Sequence, residues 1–245
     1  MRFLRLILAV AGLLAAVSVK AQTPDATPQW TLPAAGLLNG SKAEIESKLC
    51  CGASSGEAVR GSDRSVLAAA SGMASRDGKI LNLKLADRQT FKLTDCDGPP
   101  ACTEDDIRVH RLVAWWPKHR LYVVSVGMYE DTAAYLVSER DGRALVVTAP
   151  PALSPSGRMA VALVSNLMAG VDLEVIDLSR DPPTVAKVTD MPRCPGFTDS
   201  SMLRPKPVWI DESHVRFDGV SPQPGDNPNT KQLLRIVDGN AAWEC

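Results

Sequence analysis

Histidine is scarce in this chain, with three residues in 245. Any metal cluster or catalytic triad would have to draw on His110, His119 and His214, and no C-x-x-C or H-x-x-x-H spacing gathers ligands around them. Neither a metal nor a cofactor is expected, and the three histidines read as turn or surface residues. Long apolar runs are missing after residue 21, so nothing beyond that point is expected to span a membrane. Clustered basic residues are missing too. The 27 basic and 28 acidic residues are evenly mixed, which argues against the one-sided positive face of a nucleic-acid-binding protein.

What stands at the start is an export signal. Arg2 and Arg5 form a positive n-region, and Leu6 to Val19 is an apolar run broken only by Ser18. That run is shorter than the ~20 residues a spanning helix needs. Val19-Lys20-Ala21 then sets compact residues where a signal peptidase reads, so residues 1–21 are expected to be removed and Gln22 to become the first residue. An uncleaved anchor is the competing reading, and no cysteine follows the run to carry a lipid. Loss of Arg2, Arg5 and Lys20 takes 27 basic residues to 24 against 28 acidic ones, a net charge of −4.

Six cysteines in an exported chain are an even set in an oxidising compartment, so disulfides are expected. Cys96 and Cys102 flank Asp97-Gly98-Pro99-Pro100-Ala101, a tight loop, and are expected to pair. Cys50 and Cys51 are neighbours and would bridge each other only with strain. They are expected to reach Cys194 and Cys245, in an order the sequence leaves open.

Residues 22–40 hold Pro24, Pro28, Pro33, Gly36 and Gly40 and read as an extended leader. A short helix follows: Ser41 and Glu44 make a capping box, Ile45 and Leu49 share a face, and Gly52 ends it. From Glu57 onward, short β-runs alternate with turn residues. The first set is Val66–Ala70, Ile80–Leu85 and Gln89–Leu93; the second is Leu112–Trp116, Leu121–Tyr129, Ala133–Ser138 and Ala144–Thr148. The third is Met159–Ser165, Leu173–Leu178 and Thr184–Val188; the last is Val208–Ile210, Val215–Phe217, Gln232–Val237 and Ala241–Trp243. Asp141-Gly142 and Asp238-Gly239 are hairpin signals between such runs.

The runs repeat. Trp115, Leu153 and Trp209 each stand six residues before the next strand, across a short polar turn, and Val59 to Ser65 reads as a degenerate fourth copy. These anchors (59 to 115 to 153 to 209) are 56, 38 and 56 residues apart, about the length of a four-stranded propeller blade. In the third unit, Leu153-Ser154-Pro155-Ser156-Gly157-Arg158-Met159-Ala160-Val161 is followed by Leu173-Glu174-Val175-Ile176-Asp177-Leu178. This unit resembles the TolB-like β-propeller repeat, Ser-Pro-Asp-Gly before one β-run and Asp-Leu closing a second, with Ser156 in place of the family's Asp. The resemblance implies protein interaction in a bacterial cell envelope.

Few constellations carry chemistry. Gly52-Ala53-Ser54-Ser55-Gly56 matches G-x-S-x-G, but a nucleophile elbow needs strand then helix, and here the helix comes first. Asp95, Asp97, Glu104, Asp105 and Asp106 make an acidic loop without the full ligand set of a calcium site. Trp115 and Trp116 are adjacent on one strand and must point to opposite faces. With His119 and His214, which fall in equivalent turns, they form the candidate binding surface. Ser221 to Thr230, with Pro222, Pro224 and Pro228, reads as a long hairpin loop.

The expectation is therefore an all-β chain: signal peptide 1–21, leader and short helix 22–56, and a β-propeller-like array of four to five four-stranded blades over 57–245. It is read as a periplasmic or secreted, non-enzymatic module that binds an envelope protein or small ligand. The alternatives are a periplasmic hydrolase whose site is assembled from separate blades, and a sensory module for a small ligand.

Overall fold

Where apolar residues alternate, a sheet has one wet face; where they run on without a break, both faces are covered. Both patterns occur here, and they set the order of the layers. The structure, a computed structural model, describes residues 36–38, 40–49, 63–99, 102–103, 107–128, 132–166, 170–188, 206–218, 233–237 and 240–244.

The described chain opens with β1 (Gly36–Leu38), α1 (Lys42–Leu49) and α2 (Arg64–Ala69). Four antiparallel sheets follow. The first holds β2 (Ala74–Asp77), β3 (Ile80–Lys84) and β4 (Thr90–Thr94), and the second holds β5 (Val109–Trp116), β6 (Leu121–Gly127), β7 (Thr132–Ser138) and β8 (Ala144–Val147). The third is β9 (Ala152–Leu153), β10 (Met159–Asn166), β11 (Gly170–Asp177) and β12 (Thr184–Val188). The fourth is β13 (Lys206–Trp209), β14 (His214–Asp218), β15 (Leu233–Val237) and β16 (Asn240–Glu244). Within each sheet the strands are hydrogen-bonded in chain order, and β1 adds a fifth strand to the second sheet beyond β8.

Three cores cement the sheets. The first joins Leu81, Leu83, Phe91 and Leu93 of the first sheet to Tyr122, Val124, Val126 and Tyr135 of the second, closed at one side by Ile45 and Leu49 of α1. The second joins Leu121, Val123, Leu136 and Leu145 to Ala160, Ala162 and Ile176 of the third sheet. The third joins Val161, Leu163, Leu173 and Val175 to Val215, Phe217, Leu234 and Ile236 of the fourth. The two middle sheets thus send alternate residues into two different cores, which is why every residue of β6 is buried while β3 and β4 alternate. Among the described residues, no fourth core joins the last sheet to the first.

Most expected strands are present, with ends shifted by a few residues. The α1 capping box forms in both directions: Ser41 N–H donates to the Glu44 carboxylate at 2.6 Å, and Glu44 N–H donates to Ser41 Oγ at 3.4 Å. The Asp141-Gly142 turn links β7 to β8, with Gly142 at φ 73°.

Several expectations are corrected. Val66–Ala70 is not a strand: Arg64–Ala69 is helical, because Leu67, Ala68 and Ala69 are strong helix formers and Val66 is the one β-branched residue of the six. The degenerate turn copy at Val59–Ser65 fails where it is described, since Arg64 and Ser65 lie in that helix. The strand of the first sheet that was not expected is β2, whose Ala-Ser-Arg-Asp sequence carries no β signature. Residues 36–38, read as leader, are instead an edge strand. The sheets also differ in size from the four-stranded units expected, with three, five, four and four strands. Among the described residues no helix is long and apolar enough to cross a membrane.

Candidate functional site

The two ends of the sheets differ in chemistry. At one end, β5 turns into β6, β9 into β10 and β13 into β14, and these three turns are linked. Lys118 Nζ donates to the Ser156 carbonyl at 2.7 Å, and Ser156 N–H and Oγ–H both donate to the Glu212 carboxylate at 2.5 and 2.6 Å. Gly157, at φ 78°, brings its backbone so close to His119 that a Cβ there would lie 3.0 Å from Nε2. The corresponding turns of three sheets therefore line one end.

Between the second and third sheets, that end opens into a cavity of about 190 Å³. Its floor is the exposed end of the second core: Leu37, Leu121, Leu136, Leu145 and Leu178. Its rim carries Lys118, Arg140, Arg143 and Arg180, with one carboxylate, Asp181, and with Pro182 and Pro183. The guanidiniums are held from behind by carboxylates outside the lining: Arg143 Nε donates to Asp141 at 2.6 Å and Arg180 Nε to Asp177 at 3.1 Å. Hydrogen bonds from Ser138 and the Arg143 backbone hold Asp141 below the usual carboxylate range, although burial works against them. Arg140 donates to Asp181, and Arg143 Nη2 lies 3.8 Å from the same carboxylate. His119 sits on the cavity wall, edge-on to Trp116 with ring centroids 6.4 Å apart. Burial, then the charge of Lys118, pushes its pKa below the usual imidazole value.

The other end, where β4 leads into β5, holds a buried ionic network. Asp63 and Asp95, both 8% exposed, flank Arg76, which donates to Asp63 at 2.9 Å and to Asp95 at 2.9 Å. Asp95 also accepts from the backbone N–H of His110 at 2.7 Å and meets its Nδ1 at 3.0 Å, with Arg111 at 3.3 Å. Burial raises the Asp95 carboxyl, and the His110 hydrogen bonds and Arg76 charge more than offset it, so it lies below its usual value. Cys96 follows directly, disulfide-bonded to Cys102 as expected and paired with Arg108 as an isolated bridge. Where the acidic loop is described, its carboxylates meet cations of the protein: Asp95 pairs with Arg76 and Arg111, and exposed Asp97 pairs with Lys79. Glu104, Asp105 and Asp106 lie outside the described residues, as do Cys50, Cys51, Cys194, Cys245, the Gly52–Gly56 motif and the 221–230 loop. Among the described residues no group of three metal-ligating side chains occurs.

The four candidate surface residues are not brought together. A β-bulge between Leu112 and Ala114 resets the pleat of β5. Trp115 then packs against the first core and Trp116 against the second, so neither is a free aromatic. Only His119 reaches the cavity. His214 lies on the fourth sheet, where its Nδ1 meets both Asp211, at 2.9 Å, and Ser213 Oγ, at 3.1 Å. A Ser-His-Asp relay needs serine and aspartate on opposite ring nitrogens. Here both share one nitrogen, and Ser213 also donates to Asp211, as a turn motif does. Those bonds, the Ser213 backbone N–H first, lower the Asp211 pKa to about 2.

The sequence reading missed the rim arginines. Their signal was present: Arg140-Asp141-Gly142-Arg143 and Arg180-Asp181-Pro182-Pro183 each combine cations with turn residues at equivalent hairpins. No family model, curated protein or solved structure matches this chain.

Proposed function

We propose that the chain is an exported, non-enzymatic binding module whose four sheets act as blades of a β-propeller-like array. The observation that carries this reading is the linked row of turns, Lys118 to Ser156 to Glu212, which holds equivalent parts of three sheets along one end beside a lined cavity. A rigid scaffold presenting loops at one end is the usual build of a binding protein. Two further supports are the TolB-like pattern at 153–161 and 173–178, and the signal-like residues 1–21 with a disulfide at Cys96–Cys102.

The hydrolase alternative has less behind it. Of the three carboxylate–imidazole pairs among the described residues, Asp95–His110 is sealed from solvent, Asp211–His214 has its serine on the same nitrogen as its carboxylate, and Glu244 lies 3.7 Å from His214 Nε2, beyond hydrogen-bonding reach.

The test has two arms. The full chain, expressed in a bacterium with an envelope, should appear in the periplasmic fraction with an intact mass that starts at Gln22. The same protein should leave short p-nitrophenyl esters unhydrolysed above buffer. Retention at full length in the cytoplasm overturns the export reading. Turnover that is lost with Ser54→Ala or Ser213→Ala overturns the non-enzymatic one.

A further inference from the structure

The cavity between the second and third sheets combines a leucine floor with a cationic mouth, and that pairing selects a class of ligand. Buried leucines at its base offer nothing to a polar body. Of the three arginines and the lysine around the mouth, Arg143 and Arg180 offer donors fixed in direction, because Asp141 and Asp177 grip them by Nε and leave their terminal N–H groups turned elsewhere. Lys118 has no carboxylate partner among the described residues and is steadied by a carbonyl. One anion already uses this mouth: the Asp181 carboxylate, touched by Arg140 and 3.8 Å from Arg143. It is exposed, and it belongs to the rim itself.

We propose that this cavity binds a small organic anion, a carboxylate or phosphomonoester on a short alkyl chain or single ring, and that Asp181 is its internal competitor for Arg140 and Arg143. The proposal deepens the binding-module reading and rests on it. The apolar body replaces water on the leucines, and a volume of about 190 Å³ suits a group of ring size. The anionic head takes the guanidinium N–H groups that Asp181 now occupies. A neutral ligand gains only the floor, and a cation meets three arginines and a lysine against the single rim carboxylate, Asp181.

The competitor makes the test directional. The full chain is expressed, purified and titrated by NMR with hexanoate, phenyl phosphate, hexanol and hexylamine at low salt. Both anions should shift resonances of Leu136, Leu145 and Leu178; whichever anion binds more tightly identifies the head group. Hexanol should bind more weakly, hexylamine not at all, and added salt should weaken the anions. Lys118→Met and Arg143→Gln should each weaken anion binding by about 2- to 5-fold, the range of one exposed ion pair. Asp181→Asn should strengthen it by a similar factor. All three side chains are on the rim, and an unchanged thermal midpoint confirms that each variant is folded.

Three results overturn the proposal: no shift with either anion, hexanol binding as well as hexanoate, or Asp181→Asn weakening the anions. None of these touches the export and esterase measurements, so the binding-module reading is judged separately.

Discussion

Arg76→Met removes the one side chain that sits between two buried carboxylates. In the native protein Arg76 is 18% exposed, and Asp63 and Asp95 are each 8% exposed, so little solvent is at hand to replace the lost charge. Removing one partner of a buried pair costs about 3–5 kcal/mol, and the partial exposure of Arg76 argues for the lower figure, about 3 kcal/mol. For a chain of this size that corresponds to a fall in thermal midpoint of roughly 6–12 °C at pH 7. The variant should also respond differently to acid. Asp95 in the native protein has a lowered pKa, so its ionised form stabilises the fold above the ordinary carboxylate value near 4, and that contribution is lost as pH falls through the folded value. Without Arg76, Asp95 keeps His110 and Arg111 but gains less from ionisation, and the gap between the two proteins should narrow from pH 7 toward pH 3. The assay is urea unfolding followed by tryptophan fluorescence, with the cycle completed by Asp95→Asn alone and with Arg76→Met. The double variant should lose at least ~1 kcal/mol less than the sum of the singles. A loss below about 1 kcal/mol for Arg76→Met, or strict additivity in the cycle, would refute the bridging role.

Other expectations concern the cores and the turns. Glu174 is fully buried on β11, with one oxygen accepting the Thr148 N–H at 2.8 Å and the other without a partner. Burial raises its pKa, so its contribution to stability is full below the ordinary glutamate value and is lost as pH rises through the folded one. Glu174→Gln should therefore gain on the native protein as pH rises from 4 to 8; a midpoint difference that stays flat over that range refutes this. Gly142→Ala places a side chain at φ 73° and a Cβ 3.0 Å from Phe91, and should cost at least about 1–2 kcal/mol in unfolding free energy. An unchanged midpoint would show that the turn relaxes freely. Replacing Cys96 and Cys102 with serine frees a short loop and should cost about 2 kcal/mol by chain entropy, read from the denaturant midpoint. No change would mean that the Cys96–Arg108 bridge alone holds the loop.

The strands were legible wherever packing and pattern agree. Leu81-Asn82-Leu83-Lys84-Leu85 alternates because one face of the first sheet is wet, and Leu121 to Gly127 does not because both faces of β6 are covered. Trp115, Leu153 and Trp209 marked equivalent turns, and the hydrogen bonds of Lys118 and Ser156 tie those turns together. Val66–Ala70 misled because a short apolar run fits either strand or helix, and alanine decides it only when counted. β2 was illegible since Arg76 is there for its ion pairs, which no local pattern encodes. The cavity was hidden for the same reason: its cations come from three separate turns, and only the stacking of two sheets brings them to one mouth.

The bulge in β5 connects these points. A regular strand would put Trp115 and Trp116 on opposite faces, and so does this one, but Val113 is squeezed out of register first and stands 41% exposed. The shift of one residue exchanges which face each following side chain takes. Leu112 and Trp115 can then both serve the first core, three residues apart, while Ala114 and Trp116 serve the second. Without the bulge, Trp115 would enter the second core beside Leu121 and Trp116 the first, and His119 would lose the indole edge it rests on. That edge is part of how the β5–β6 turn is held against Gly157, and the turn in turn places Lys118 over the leucine floor. The tryptophans therefore bear on the cavity through position: each packs partly buried against its own core, and the turn that follows them lines the mouth.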